Sequence, residues 1–221
     1  MVDSRGNSDE GEVYDDMNAD QIETLSPTAP HRHVDLEIVK ADKEGYVKTY
    51  IVLPPVIYGL AKTRFVDAGI QNPRSIMIPT LIKLALARGE AGMIGHGKNV
   101  WDNVEIHERM CFFFGSWWIP VPDCKSSQVA DVFVLLYEAI LEGKNTALGH
   151  GREGYYFASN GVHPTYSITK AIGSALVKLG KIKSAEPTSF AQEEVDKYFG
   201  PFVSLVLYCT QQDMNILTSA L

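Results

Sequence analysis

Residues 47–59 read VKTYIVLPPVIYG. Val47 to Leu53 is dominated by β-branched and aromatic side chains, which suit a pleated, half-buried strand. Pro54 and Pro55 stop that strand, because proline has no N–H to give to a ladder. Downstream, PTLIKLALAR (Pro79–Arg88) carries proline at a first helical position and Gly89 just past its end, the marks of a helix. Met93-Ile94 and Val104–Ile106 read as short strands around a Gly-His-Gly turn. Val129, Val132, Phe133, Leu136 and Ile140 recur at helical spacing, with Ser126 and Ser127 as caps and Gly143 as the stop, so a helix is predicted over 129–142. GYYFA (Gly154–Ala158) reads as a strand. A second amphipathic helix opens at Ser167, and Ser189 with Gln192 spells a capping box for a third that ends near Gly200. Strands alternating with helices predict an α/β fold.

The chain has 221 residues, 45% of them hydrophobic and 10% aromatic, with a formal net charge of −7. That is ample for a buried core and excludes a wholly disordered chain. Residues 1–24 hold eight acids and one base, which accounts for the whole net charge and leaves the remainder neutral. This acidic start reads as a solvated, disordered lead-in. No basic footprint for nucleic acid is present. No apolar run approaches the roughly 18 residues of a membrane span, and no targeting segment is visible, so a cytoplasmic protein is expected. Cys111, Cys124 and Cys209 form no CxxC and no metal spacing, as expected of reduced thiols.

Gly149–Gly154 (GHGREG) is a literal GxGxxG. A dinucleotide fingerprint needs a strand before it and a helix after it; here the order is reversed, so a glycine-rich turn into a strand is expected. His31, His33 and Asp35 form an HxHxD string, but no third and fourth partner completes a metal site, and none is expected. His96, His107, His150 and His163 stand singly. The carboxylate pairs Asp15-Asp16 and Glu193-Glu194 lie in polar settings and read as solvated faces. No GxSxG elbow is present.

Taken in order, several segments resemble the extended short-chain dehydrogenases/reductases, the NAD-dependent epimerase/dehydratase type in its fungal form. TYIVLPPVIYG (Thr49–Gly59) is similar to the strand and loop that lie beside the nicotinamide in that family. Gly95–Asn99 with Trp101 resembles its substrate loop, and Glu105-Ile106-His107-Glu108 its HVDD turn. Val129-Ala130-Asp131 resembles the start of its next helix, Gly154–Phe157 its GxYN-like strand, and Ser167 onward its SxxE-type helix. The resemblance covers roughly residues 25–200.

It implies an incomplete Rossmann-like fold, the C-terminal portion of such a reductase without its N-terminal dinucleotide-binding half. It also implies NAD or NADP as cofactor, with Pro54, Pro55, Val56 and Ile57 flanking the nicotinamide and Tyr58, Asn99 and Trp101 facing substrate. The family's YxxxK acid–base pair is absent; counting back from Pro54 places His31 and Asp35 there, a weak substitute because Asp35 carries the wrong charge for lysine's role. Residues 109–128 interrupt family order, since removing them joins Glu108 to Val129 in a family-like run, and residues 201–221 form an atypical tail. The expected function is NAD(P)-dependent oxidoreductase or epimerase chemistry on a small carbonyl or sugar-like substrate, impaired by the missing motifs. The alternative is a non-enzymatic binding or regulatory module on a degenerate reductase fold. Expected partners are a small-molecule substrate, with room for a homodimer, and neither nucleic acid nor membrane.

Overall fold

A computed structural model describes residues 13–29, 31–106, 128–143, 148–159 and 161–198, with strand fragments at 2–3, 113–114, 117–118, 209–210 and 212–214. The elements, in chain order, begin with β1 (Val2–Asp3), β2 (Val13–Asp15), α1 (Ala19–Glu23), α2 (Arg32–Lys43), β3 (Ile51–Leu53) and β4 (Val56–Tyr58). Next come α3 (Arg64–Asp67), α4 (Met77–Arg88), β5 (Gly92–Met93), β6 (Val100–Glu105), β7 (Phe113–Phe114), β8 (Trp117–Trp118) and α5 (Gln128–Leu141). The last are β9 (Tyr155–Phe157), β10 (Gly161–Pro164), α6 (Thr165–Lys178), β11 (Thr188–Ser189), a helix α7 over 192–198, β12 (Cys209–Thr210) and β13 (Gln212–Met214). The fold is mixed α/β. Among the described residues no helix is long and apolar enough to cross a membrane. The readings of 109–128 and 201–221, with Cys111 and Cys124, fall outside the described residues apart from Gln128 and the strand fragments there, as do His107 and Glu108.

The chain divides into two compact units, one holding Tyr14–Arg74 and Asn103–Asn160, the other Ser75–Asp102 and Gly161–Gln212. In the first, β3 and β9 pair in parallel, with Ile51 opposite Tyr155, Val52 opposite Tyr156 and Leu53 opposite Phe157. All three β9 residues are buried, as a strand covered on both faces requires. Ile22, Ile51, Tyr155 and Phe157 form the core here, with Tyr14, Leu25, Ile38, Val39 and Leu53 packed against it. Pro54-Pro55 ends β3 as expected. The chain then resumes as β4 on a different partner, parallel to β6, with Val56 opposite Asn103 and Tyr58 opposite Glu105.

The acidic lead-in is corrected in part. Residues 13–24 are not disordered: they supply β2 and α1, and Ile22 is only 2% exposed. Asn18 caps α1 through its side chain, which accepts the Gln21 N–H at 3.1 Å. One apolar side chain at the right place was enough to anchor a segment whose charge pattern suggested solvent.

In the second unit, α4 and α6 pack through Leu81, Ala85, Ile172 and Leu176, joined by Ala91 and Ile182. Helix α4 ends as predicted, at Gly89 with φ +81°, whose N–H reaches the Ala85 carbonyl at 2.9 Å. It starts two residues earlier than predicted, with Pro79 inside the first turn, where its missing N–H costs nothing. The capping box at Ser189 is corrected as well. Ser189 belongs to β11, which pairs in parallel with β5. The reciprocal half of a capping box sits two residues later, where the Ala191 N–H donates to the Glu194 carboxylate at 2.9 Å.

Arg88 ties this unit together. Its guanidinium donates to Glu194 at 2.8 Å, to the Thr188 hydroxyl at 2.7 Å and to the Ser189 carbonyl at 3.0 Å, and lies 5.1 Å from the centre of the Phe190 ring. Arg88→Ala is expected to destabilise the unit by about 2 kcal/mol, because one planar fork serves a helix end, a strand and a ring at once. Chemical denaturation followed by circular dichroism checks this; a loss below half that value would show that the contacts are solvated and weak.

Candidate functional site

In open α/β sheets, ligands bind outside the carboxyl ends of the strands. Those ends, for β3 and β9, are Pro54-Pro55 and Ala158-Ser159. Pro54 is exposed, and Pro55, Val56 and Ile57 are half-buried, so the residues expected from sequence to flank a nicotinamide are partly open to solvent. Tyr58 follows them and is exposed. Asp16, which sequence reasoning assigned to a solvated face, is buried and accepts the Phe157 N–H at 3.0 Å through Oδ2. A lone carboxylate in an acidic stretch carries no signal that would have found it.

Helix α2 belongs to the same unit. His31 stands before its first turn at φ +64°, an uncommon region for a residue with a Cβ, and its side chain makes no capping bond. Asp35 lies in the first turn, half-buried; burial pushes its carboxyl up, against the opposing charges of Arg32, His31 and His33. The group that dominates here is the residue between them. Arg32 is 5% exposed, donates to the Tyr155 hydroxyl at 2.6 Å and to the Ile22 carbonyl at 3.3 Å, and has its guanidinium 5.8 Å from the Tyr155 ring centre. Burial raises the Tyr155 hydroxyl above its ordinary range, with Arg32 pulling the other way. Tyr155 is therefore a neutral hydroxyl within the core. Among the described residues no group of three or more histidines, cysteines and carboxylates could hold a metal ion.

Asn99 and Trp101, expected to face substrate, belong to the other unit and are 0% and 3% exposed. The Asn99 carbonyl accepts from the Thr165 N–H at 2.9 Å and from its hydroxyl at 3.1 Å, so this backbone position fixes the entry to α6.

The GxGxxG forms the expected turn into a strand: residues 151–153 make one turn of 3₁₀ helix before β9. Its glycines answer to local packing. Gly151 has φ +63°, and a Cβ on it would lie 2.8 Å from the Asp42 carboxyl carbon; on Gly154 a Cβ would lie 2.6 Å from the Thr49 carbonyl oxygen. The turn closes on Asp42, and its space is filled by protein. Asp42 accepts the Thr49 N–H at 2.6 Å and meets His150 Nδ1 at 2.9 Å, which ties the end of α2, the approach to β3 and the turn together. Burial alone would raise the Asp42 carboxyl, but the Thr49 N–H and His150 together outweigh it and hold it below the usual carboxylate range.

A literal YxxxK is in fact present, outside the place where family order puts it: Tyr166-Ser167-Ile168-Thr169-Lys170, on α6. A scan of every lysine for tyrosine four residues earlier finds it. The Tyr166 hydroxyl donates to Glu186 at 2.8 Å, and Lys170 pairs with the same carboxylate. Its hydrogen bond to Glu186 raises the Tyr166 hydroxyl above its ordinary range, the reverse of what a proton-donating tyrosine needs. This pair fastens α6 to the following loop.

The glycine turn offers no cradle for a dinucleotide's phosphates, because it encloses the Asp42 carboxylate. No family model matches the chain. It is 27% identical over 154 residues, 67% of its length, to the protein named Oxidase ucsJ of an Acremonium species, and the match spans 37% of that protein's length.

Proposed function

We propose that the chain is the C-terminal part of a Rossmann-like oxidoreductase of the extended short-chain dehydrogenase/reductase type, using NAD or NADP on a small carbonyl or sugar-like substrate. The observation that supports this reading is that Pro54–Ile57 directly follow β3, the strand paired in parallel with β9, and stay partly open to solvent. The similarity to a protein named an oxidase supports the same class of chemistry. A bound nicotinamide would supply hydride transfer; Pro54, Pro55, Val56 and Ile57 would flank its ring, and Tyr58 would meet the substrate. Asp35, whose carboxyl is raised by burial, stands with His31 where the family's acid–base pair would fall. Asn99 and Trp101 serve as packing residues, because their burial leaves no face for a substrate.

The test is calorimetric titration with NADH and NADPH, on the chain and on Val56→Asp. A ring-only contact gives a free energy of about −4 to −5 kcal/mol, a dissociation constant near the millimolar range. The variant is expected to abolish it by putting a charge beside the ring. No heat from folded protein at millimolar cofactor overturns the enzymatic reading. It then favours the binding-module alternative, which the closed glycine turn and the sealed Asn99 and Trp101 independently support.

A further inference from the structure

The two outer edges of the β3–β9 pair differ. Ile51 gives its N–H to the Gly154 carbonyl at 2.7 Å, and the Leu53 carbonyl accepts the Ala158 N–H at 3.1 Å, so both residues bond towards β9. On β9, Phe157 points its N–H the other way, and the Asp16 carboxylate takes it at 3.0 Å. A carboxylate placed there closes that edge to further strands. Among the described residues nothing comparable closes the far edge of β3. Backbone alternation turns the N–H and C=O groups of Tyr50 and Val52 outward, and none of them takes a hydrogen bond from a described residue. Both residues are half-buried rather than sealed. From Thr49 to Leu53 the edge carries no charge and no proline, and its pairing with β9 has no bulge, so the usual devices that keep edges apart are missing.

We propose that the chain forms a two-fold dimer by antiparallel pairing of its β3 edges, with Tyr50 opposite Val52 of the second copy. The edge is self-complementary in this register: each Tyr50 and each Val52 donates once and accepts once, which uses every outward group between them. Ile51 then faces Ile51 across the axis, Thr49 faces Leu53 and Lys48 faces Pro54, so no like charges meet. An unrelated partner would need its own matching run of uncharged, proline-free strand; a second copy brings one. Pairing merges two two-stranded sheets into one continuous sheet, and it needs no cofactor.

The test is sedimentation equilibrium of the full chain, from micromolar to several hundred micromolar, with hydrogen exchange read at single amides. The expected result is a shift from the 24.4 kDa monomer to twice that mass, with exchange at Tyr50 and Val52 slowing at least tenfold over the same range. Val52→Pro removes an outward N–H and leaves the β9 ladder intact, so it is expected to stay monomeric. A wild-type chain that stays monomeric overturns the proposal; slow exchange in that monomer would mean that another segment of the chain covers the edge. A dimer whose Tyr50 and Val52 amides exchange at the monomer rate overturns it too, because its interface lies elsewhere. So does a folded Val52→Pro that still dimerises. Should that variant fail to fold, the wild-type masses and exchange rates decide alone.

Discussion

Asp42→Ala is expected to cost the first unit about 3 kcal/mol at neutral pH. The carboxylate accepts the Thr49 N–H at 2.6 Å, the Thr49 hydroxyl at 3.3 Å and faces His150 at 2.9 Å, all in a largely buried setting. Truncation removes a charge-assisted bond worth about 1.5–3 kcal/mol and leaves a partly buried N–H without its acceptor, a further penalty of about 1 kcal/mol or more. The same residue sets an acid limit. Its folded-state pKa lies below the unfolded value, so its stabilisation is fully present above about pH 4 and fades as pH falls through the depressed folded value. Urea denaturation at pH 7 and pH 3, followed by far-ultraviolet circular dichroism, separates the parts. Wild type is expected to lose more stability between the two than Asp42→Asn, which keeps an acceptor for Thr49 and has no proton to gain. Equal losses would show that Asp42 is not linked to acid unfolding.

That clasp was illegible in the sequence for a definite reason. The inward face of α2 carries Arg32, Asp35, Ile38, Val39 and Asp42 at helical spacing, and only Ile38 and Val39 are apolar. A hydrophobic-periodicity reading sees a polar helix there. The fold makes the face inward by supplying partners from far along the chain: the Tyr155 hydroxyl for Arg32, and the Thr49 N–H and His150 for Asp42. Where burial needed apolar residues alone, the sequence was readable. The strand before Pro54, the end of α4 at Gly89 and the glycine turn into β9 all stand where local chemistry puts them. The candidate site rested on a different kind of signal. Asn99 and Trp101 were placed by motif order, which says nothing about burial, and Asn99 turns out to give its carbonyl to Thr165. Tyr166 and Lys170 have the spacing of an acid–base pair, yet the carboxylate between them comes from residue 186, which spacing cannot see.

Ile22→Ala is expected to destabilise the first unit by about 3 kcal/mol, within the 2–5 kcal/mol typical of emptying a fully buried aliphatic site. Ile22 packs with Ile51, Tyr155 and Phe157, and its carbonyl accepts from Arg32, so the cavity opens beside a buried cation. Collapse is limited there, because Arg32 is held at Tyr155 by a 2.6 Å bond and cannot follow the backbone without breaking it. Water entering the space would instead solvate the guanidinium, which recovers part of its desolvation cost and keeps the loss below the upper end of the range. Glu23→Ala, one residue on and exposed, is the control. Its pairing with Arg152 at 2.9 Å is a surface contact, screened by solvent and expected to contribute little. Parallel urea titrations of the two variants decide whether the acidic start is part of the folded unit. Similar small losses in both would return residues 13–24 to solvent; a large loss confined to Ile22→Ala makes one isoleucine the anchor by which a strongly acidic segment joins the core and brings Asp16 to the end of β9.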